Sequence, residues 1–247
     1  MPVPKLSMHE PVANGTRVLA SFVLLAALLM LAACTPPPDT GGGPRNPPDS
    51  GDGAIRLDGV EVREYEGERL DSVNDFRENS IKGIQRVDRD AYRMKVTGLV
   101  DRPAELTYSE VASGFPAYEK VIRLDCVEGW SATVLWRGLL VSDLVDAAGP
   151  KAAATHVIFR AVDGYSTSLP LDYLRDRKIL LAYSMNGVTL PAERGFPFEL
   201  AAEDKWGYKW IKWVSEVELT DDAGFKGYWE SRGYSNNGDL DKPMYGP

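Results

Sequence analysis

Two histidines and two cysteines in 247 residues are too few for most of the metal and disulfide chemistry open to a chain of this length. His9 lies in an N-terminal leader-like region, so His156 is the one imidazole of the folded part, and one imidazole cannot build a histidine-rich zinc or iron site. It follows Thr155 at a predicted strand entrance and reads as structural. A catalytic triad would have to use this histidine, and nothing around it resembles a nucleophile elbow. The chain has no Cys-x-x-Cys pair, no haem or iron–sulfur motif, no glycine-rich dinucleotide fingerprint and no Walker-type phosphate loop. Positive charge is also in deficit: 28 Lys and Arg stand against 36 Asp and Glu, a formal net charge of -8, which argues against a nucleic-acid or anionic-lipid surface.

What is present begins with a segment that does not belong to the fold. Residues 18–33, VLASFVLLAALLMLAA, form an apolar run preceded by Lys5 and Arg17, the length and flanks of a signal peptide rather than a membrane span. The run closes on LAAC, which resembles a bacterial lipobox, with cleavage before Cys34 and lipid on its sulfur. Thr35 is not the aspartate that retains such proteins in the inner membrane. The expectation is an exported chain, lipid-anchored through Cys34 to the cell envelope, on the periplasmic side of the outer membrane where two membranes exist. An ordinary signal peptide or an uncleaved anchor helix are the alternatives, and all three place the domain outside the cytoplasm. The expected organisation is signal 1–33, lipidated cysteine and Pro/Gly tether 34–53, and one domain over 54–247, large enough for a well-buried core. Cys126 is then left without a disulfide partner. From cysteine counting alone, a small buried hydrophobe is the ordinary reading of it.

Short β-prone runs dominate the domain. Residues 92–100, 120–127, 155–162, 178–185, 196–202 and 210–220 read as strands, most of them bounded by Gly, Pro, Asp or Asn. Helical spacing covers 139–147, and short helices fit 170–176 and 104–113. The sum is a mixed-sheet α+β domain, not regular βαβ repetition.

Three segments carry candidate chemistry. Residues 203–214, EDKWGYKWIKWV, interleave Lys205, Lys209 and Lys212 with Trp206, Tyr208, Trp210 and Trp213, and Gly207 allows close backbone approach. This fits an anion site in an acidic protein, and equally an edge strand with solvated lysines and core tryptophans. Residues 161–172, AVDGYSTSLPLD, bring Asp163 and Tyr165 into a polar loop that is also able to satisfy its own backbone. Asn186-Gly187 is a turn signal.

Taken together, CVEGWS (126–131), VLWRGLLVSDLVDAAG (134–149), DGYSTSLPL (163–171), LLAYSMNGVTLPAERGFPFEL (180–200), KWGYKWIKWVSEVEL (205–219) and GYWESRGY (227–234) resemble the molybdopterin-binding domain of the sulfite oxidase family. The resemblance runs from about residue 76 to 232 and is nearest a compact bacterial branch, that of periplasmic methionine-sulfoxide reductase catalytic subunits. It implies a sulfite oxidase-type α+β fold and a molybdenum–molybdopterin cofactor with Cys126 as the protein's metal ligand, soft sulfur suiting a redox-cycling metal. It places Gly207, Tyr208 and Lys209 at the phosphate end of the pterin, with Lys212 as a second cation. DFRENS (75–80) resembles loosely the family's pterin-contacting segment, which makes Asn79 a candidate. Trp130 is implied as a pocket wall, Glu128 as at most an outer neighbour of the metal.

The sequence also departs from that family. Glu199 stands where an arginine usually reaches the cofactor, with Arg194 available to supply the missing cation; the proline-rich step that normally follows is replaced by AAEDK, where Lys205 is available to compensate. No twin-arginine pair precedes the apolar run, although exported relatives travel folded with that signal. The implied activity is two-electron oxygen-atom transfer to or from a small sulfur compound or oxoanion. Cys126 fixes the metal, Tyr165, Asp163 and Arg194 lie on the substrate side, and a cytochrome or membrane subunit exchanges electrons with a monomeric chain. A non-catalytic envelope-anchored binding or scaffold protein with an altered pocket is the rival reading, favoured by Glu199 and the missing twin arginine. A thiol redox protein using Cys126 is the third.

Overall fold

The computed structural model describes residues 61–246. The leader, Cys34 and the tether lie outside these residues, as does the start of the expected domain. Within them no helix is long and apolar enough to cross a membrane.

A small ribbon of β1 (Glu64–Tyr65) and β2 (Glu68–Arg69) precedes the main strands. The rest follows as β3 (Arg93–Gly98), β4 (Ala104–Thr107), α1 (Tyr108–Gly114), β5 (Tyr118–Asp125), β6 (Ser131–Leu140) and α2 (Val141–Ala148). Then come β7 (His156–Ala161), β8 (Ser166–Pro170), α3 (Leu171–Asp176), β9 (Leu180–Met185), β10 (Val188–Thr189), β11 (Glu199–Ala201) and β12 (Val214–Thr220). One sheet has the order β10-β9-β6-β5, with β11 also pairing β9; the other has the order β4-β3-β12-β7-β8. Among the described strands only β3 and β12 pair in parallel; the remaining ladders are antiparallel. The domain is α+β with mixed sheets, as its sequence pattern indicates.

Local chemistry sets several boundaries. Thr107 ends β4 and starts α1 through a capping box: its hydroxyl accepts from the Glu110 N–H while the Glu110 carboxylate accepts from the Thr107 N–H. The predicted helix over 104–113 is therefore a strand and then a helix. Gly149 closes α2 in the left-handed region at φ 71°.

Both sheets contribute to one hydrophobic core. Trp136 of β6, Leu181 of β9, Val96 of β3, Phe159 of β7 and Val217 of β12 are all essentially inaccessible. Each such side chain contributes about 1.5–3 kcal/mol by leaving water.

Residues 210–213, expected as part of a strand, do not join β12. Trp213 takes φ 55°, and its indole N–H donates to the Ala192 carbonyl at 2.7 Å. In this irregular stretch Trp210, Ile211 and Trp213 are buried, while Lys212 is only partly so.

Candidate functional site

Cys126 sits at the tip of a hairpin. Strands β5 and β6 pair in register up to Asp125 opposite Ser131, leaving 126–130 as the connection. The Cys126 N–H donates to the Trp130 carbonyl at 2.9 Å, and Gly129 donates back to the Cys126 carbonyl at 3.0 Å. Gly129 has φ 83°, a conformation that side chains resist. The turn therefore holds the thiol at the end of a ten-residue strand and its partner, where rigid scaffold meets loop.

The thiol faces a cavity of about 380 Å³. Burial pushes the Cys126 pKa up, and the Glu128 carboxylate adds to this. The Glu128 and Val127 backbone N–H groups and the Arg77 guanidinium act the other way, favouring the negative sulfur. Phe76, Trp130, Trp210, Trp229 and Tyr234 give the cavity an aromatic wall.

Five distant segments meet there. A parallel bridge between Asp125 and Trp206 draws residues 205–209 alongside the end of β5. Gly207 then lies so close that a β-carbon would stand 3.3 Å from both the Asp125 carbonyl oxygen and the Cys126 Cα. The segment 73–81 is held by Arg194, whose guanidinium donates to the carbonyls of Val73 at 3.0 Å, Phe76 at 2.5 Å and Arg77 at 3.3 Å. The C-terminal stretch contributes Trp229 and Tyr234, and the loop after β7 contributes Asp163 and Tyr165.

Most of the residues singled out from sequence line this cavity: Asn79, Cys126, Asp163, Tyr165, Arg194, Gly207, Tyr208 and Lys212. Their engagements differ from a bare pocket. Asn79 donates to Glu128 at 3.0 Å, and the Tyr165 hydroxyl donates to the Tyr208 carbonyl at 2.5 Å. Asp163 accepts from the Tyr165 N–H at 2.9 Å. Tyr208 hands its hydroxyl to the Ser235 carbonyl at 2.7 Å. Lys212 Nζ donates to Glu78 at 3.0 Å and to the Glu193 carbonyl at 3.3 Å, and burial lowers its pKa.

Lys209 corrects the sequence reading. Its side chain is inaccessible, and Nζ donates to Glu230 at 2.6 Å and to the Ser168 carbonyl at 2.9 Å. Its ammonium is a structural charge beneath the wall, not a cavity cation. Arg194 is corrected in part: it borders the cavity, but its donors are engaged by backbone carbonyls. Lys205 does not border the cavity; it pairs with Asp239. His156 pairs with the Thr155 hydroxyl at 3.0 Å, away from the site, as a structural residue.

Sequence reasoning missed Arg77 and Ser80. Arg77 is exposed at the cavity edge, close enough to influence the Cys126 sulfur. The Ser80 hydroxyl is buried on the cavity wall without a hydrogen-bond partner. The same DFRENS segment that drew attention to Asn79 contains both residues.

Among the described residues no three His, Cys, Asp or Glu side chains gather to hold a metal ion. A metal at Cys126 would therefore need ligands beyond these side chains, and a dithiolene is one group that provides them. The glycine pressed against the cysteine, the orphan Ser80 hydroxyl and the aromatic wall fit such a group.

The family of oxidoreductase molybdopterin-binding domains matches residues 81–229. The chain belongs to this family. Its cofactor is molybdenum–molybdopterin, and it is a molybdenum-dependent oxidoreductase of the sulfite oxidase-like type. It is 37% identical over 153 residues to the uncharacterized oxidoreductase YuiH of Bacillus subtilis, covering 62% of this chain and 76% of that protein. It is 34% identical over 152 residues to the putative protein-methionine-sulfoxide reductase subunit YedZ1 of Azospira oryzae, covering 62% and 57%. Against the protein-methionine-sulfoxide reductase catalytic subunit MsrP of Gluconobacter oxydans it is 31% identical over 147 residues, covering 53% and 47%. The chain thus spans about half the length of its methionine-sulfoxide reductase relatives. The sulfane dehydrogenase SoxCD of Paracoccus pantotrophus shares the fold, with a TM-score of 0.55 at 23% identity over 57% of this chain and 41% of that one.

Proposed function

We propose that this chain is the catalytic unit of an envelope S-oxide reductase, removing oxygen from a small sulfoxide in a two-electron reaction. The observation that carries the reading is the placement of Cys126, a lone buried thiol flanked by backbone N–H groups on the wall of a largely aromatic cavity. Bound there, the cofactor supplies the oxygen-atom transfer chemistry. The chain's own residues position and enclose it. Cys126 would bind the metal, Gly207 and Tyr208 would border the pterin, and Lys212, Arg77, Ser80 and Asn79 would supply polar contacts. The aromatic wall suits an uncharged substrate of modest size, and two relatives named as methionine-sulfoxide reductase subunits support the S-oxide class. Sulfite or another oxoanion, oxidised or reduced at the same centre, is the broader range of which this is one member.

Those names, a subunit and a catalytic subunit, support a separate partner chain; its proposed role is electron transfer, as a membrane subunit or a cytochrome. The lipobox-like LAAC ending at Cys34 supports attachment to the cell envelope through lipid, on the periplasmic side of the outer membrane where two membranes exist. Reduction of methionine sulfoxide and of dimethyl sulfoxide by the molybdenum-loaded protein, with a reduced viologen as electron source, tests the activity. Turnover of S-oxides with none of sulfite supports the reading. Sulfite oxidation without S-oxide turnover reverses the direction of electron flow and rejects it.

The rival, a scaffold with an altered pocket, draws on one observation: Lys209 and Arg194, two cations expected at the cofactor, have their donors engaged by Glu230 and by backbone carbonyls. It predicts a protein that carries no molybdenum in its own membrane.

A further inference from the structure

Past Gly233 the chain folds back on itself as a strap. The Ser235 N–H donates to the Met244 carbonyl at 2.9 Å, the Gly246 N–H donates to the Gly233 carbonyl at 3.2 Å, and the Tyr234 and Tyr245 rings lie 4.7 Å apart. The strap has no buried apolar side chain. Among residues 234–246 only Ser235 and Gly238 are buried, while Leu240 and Met244 are half-buried and Tyr245 is exposed.

What fastens it to the body is mainly polar, and most of it lands on residues 204–208. The Trp206 N–H donates to the Gly238 carbonyl at 2.8 Å, and the Leu240 N–H donates to the Asp204 carbonyl at 3.1 Å. The Tyr208 hydroxyl donates to the Ser235 carbonyl, and the edge of one ring meets the other where Tyr234 packs on Tyr208 at 5.0 Å. The Lys205 ammonium pairs with Asp239, whose second oxygen takes Lys242 at 2.7 Å. Gly238 leaves no gap in this clasp: a β-carbon there would stand 2.5 Å from Lys209 Cγ. One further tie runs elsewhere, from the Asn236 amide to the Ala223 carbonyl at 3.3 Å.

The clasped residues are those that close the cavity on Cys126. Trp206 bridges to Asp125, and Gly207 lies against the Cys126 Cα. Of the strap only Tyr234 borders the cavity; Ser235, Gly238 and Asp239 stand behind Gly207 and Tyr208. Lys205 likewise stays off the wall, so its charge serves the strap and not a group bound in the cavity. A segment held by polar contacts without a buried apolar anchor opens locally at a lower free energy than a core unfolds.

Resting on the placement of the cofactor at Cys126 proposed above, we propose that the strap is a latch: Lys205 and Asp239 are positioning residues that hold Gly207 and Tyr208 against Cys126, and opening of the strap, with the sheets intact, is the step by which the cofactor is released. The role is independent of which sulfur compound is turned over.

Hydrogen exchange on cofactor-free protein reads the latch by itself. The Trp206 and Leu240 amides should exchange through a local opening that low urea does not accelerate, faster than the amides of β6 and β9. Asp239→Ala should speed exchange across 204–209 while β6, β9 and the urea midpoint stay as in wild type. Asp239→Glu should restore part of the protection, and Asn237→Ala, exposed and outside these contacts, should change nothing. Exchange of Trp206 and Leu240 only in step with β6 and β9 overturns the latch. In molybdenum-loaded protein, pterin release is followed over time after gel filtration. Asp239→Ala should release pterin roughly 10- to 100-fold faster than wild type. It should also alter the electron paramagnetic resonance signal of the half-reduced molybdenum, with Asp239→Glu recovering both in part. A loaded Asp239→Ala protein with the wild-type release rate and signal overturns the retention role alone. Wild type that carries no molybdenum sinks the reading of the site, and the retention role with it.

Discussion

Gly207 lies against Cys126: a β-carbon on the glycine would stand 3.3 Å from the cysteine Cα. The contact joins the lysine- and tryptophan-rich segment to the hairpin tip, and so defines one side of the cavity. Gly207→Val adds branched bulk at a backbone that has little freedom to retreat. It should cost about 1–3 kcal/mol of stability by overpacking. Molybdenum content should drop more than folding does, checked by metal analysis beside urea denaturation.

Lys209 and Glu230 form a fully buried ion pair, and the Thr167 hydroxyl donates to the same carboxylate oxygen at 2.6 Å. Lys209→Met leaves the Glu230 charge buried and unpaired. A loss of about 3–5 kcal/mol is expected in chemical denaturation. The double variant Lys209→Met, Glu230→Gln should recover a large part of it. Because Glu230 follows Trp229 on the cavity wall, the single variant should also loosen residues 227–234 in hydrogen exchange.

Arg194 fastens the segment 73–81 by donating to three of its carbonyls. Lys at 194 carries one nitrogen in place of the guanidinium fork and cannot serve all three. Arg194→Lys should cost about 1–3 kcal/mol and raise hydrogen exchange across 73–81, while β6 and β9 keep their protection.

Burial of Glu199 makes stability depend on pH. Its folded pKa, about 8, lies above the ordinary carboxyl value of 4.5, so the folded state binds the proton more tightly than the unfolded one. The corresponding stability is fully present below the unfolded value and is lost as pH rises through about 8. Urea titrations across this window should show wild type losing on the order of a few kcal/mol relative to Glu199→Gln.

How far the sequence carries can be read from particular elements. β3 follows its pattern through alternation and α2 and α3 through helical spacing, each with one buried face, while β7 and β9 are short β-prone runs buried nearly throughout. β6 does not: Val134, Leu135 and Trp136 are buried in succession, and such a run lacks a period that separates strand from helix. Leu139 and Leu140 accordingly read with the following helix, though they end the strand. β8 reads as a polar loop because its Ser-Thr-Ser stretch is buried against partners far along the chain, Thr167 on Glu230 and Ser168 on the Phe225 carbonyl. The candidate site was legible as a constellation, with Cys126, Gly207 and Tyr208 arriving at one cavity. The engagement of each cation was not. Which acceptor takes Lys209 or Arg194 depends on residues 21 and about 120 positions away, and no local pattern encodes that.

The central claim is that Cys126 holds molybdenum in this cavity. Molybdenum and pterin should be quantified in protein purified from its native membrane, wild type beside Cys126→Ser. The account predicts stoichiometric molybdenum in the wild type and its loss in the variant, with both chains folded. Equal, near-zero molybdenum in the two would contradict it.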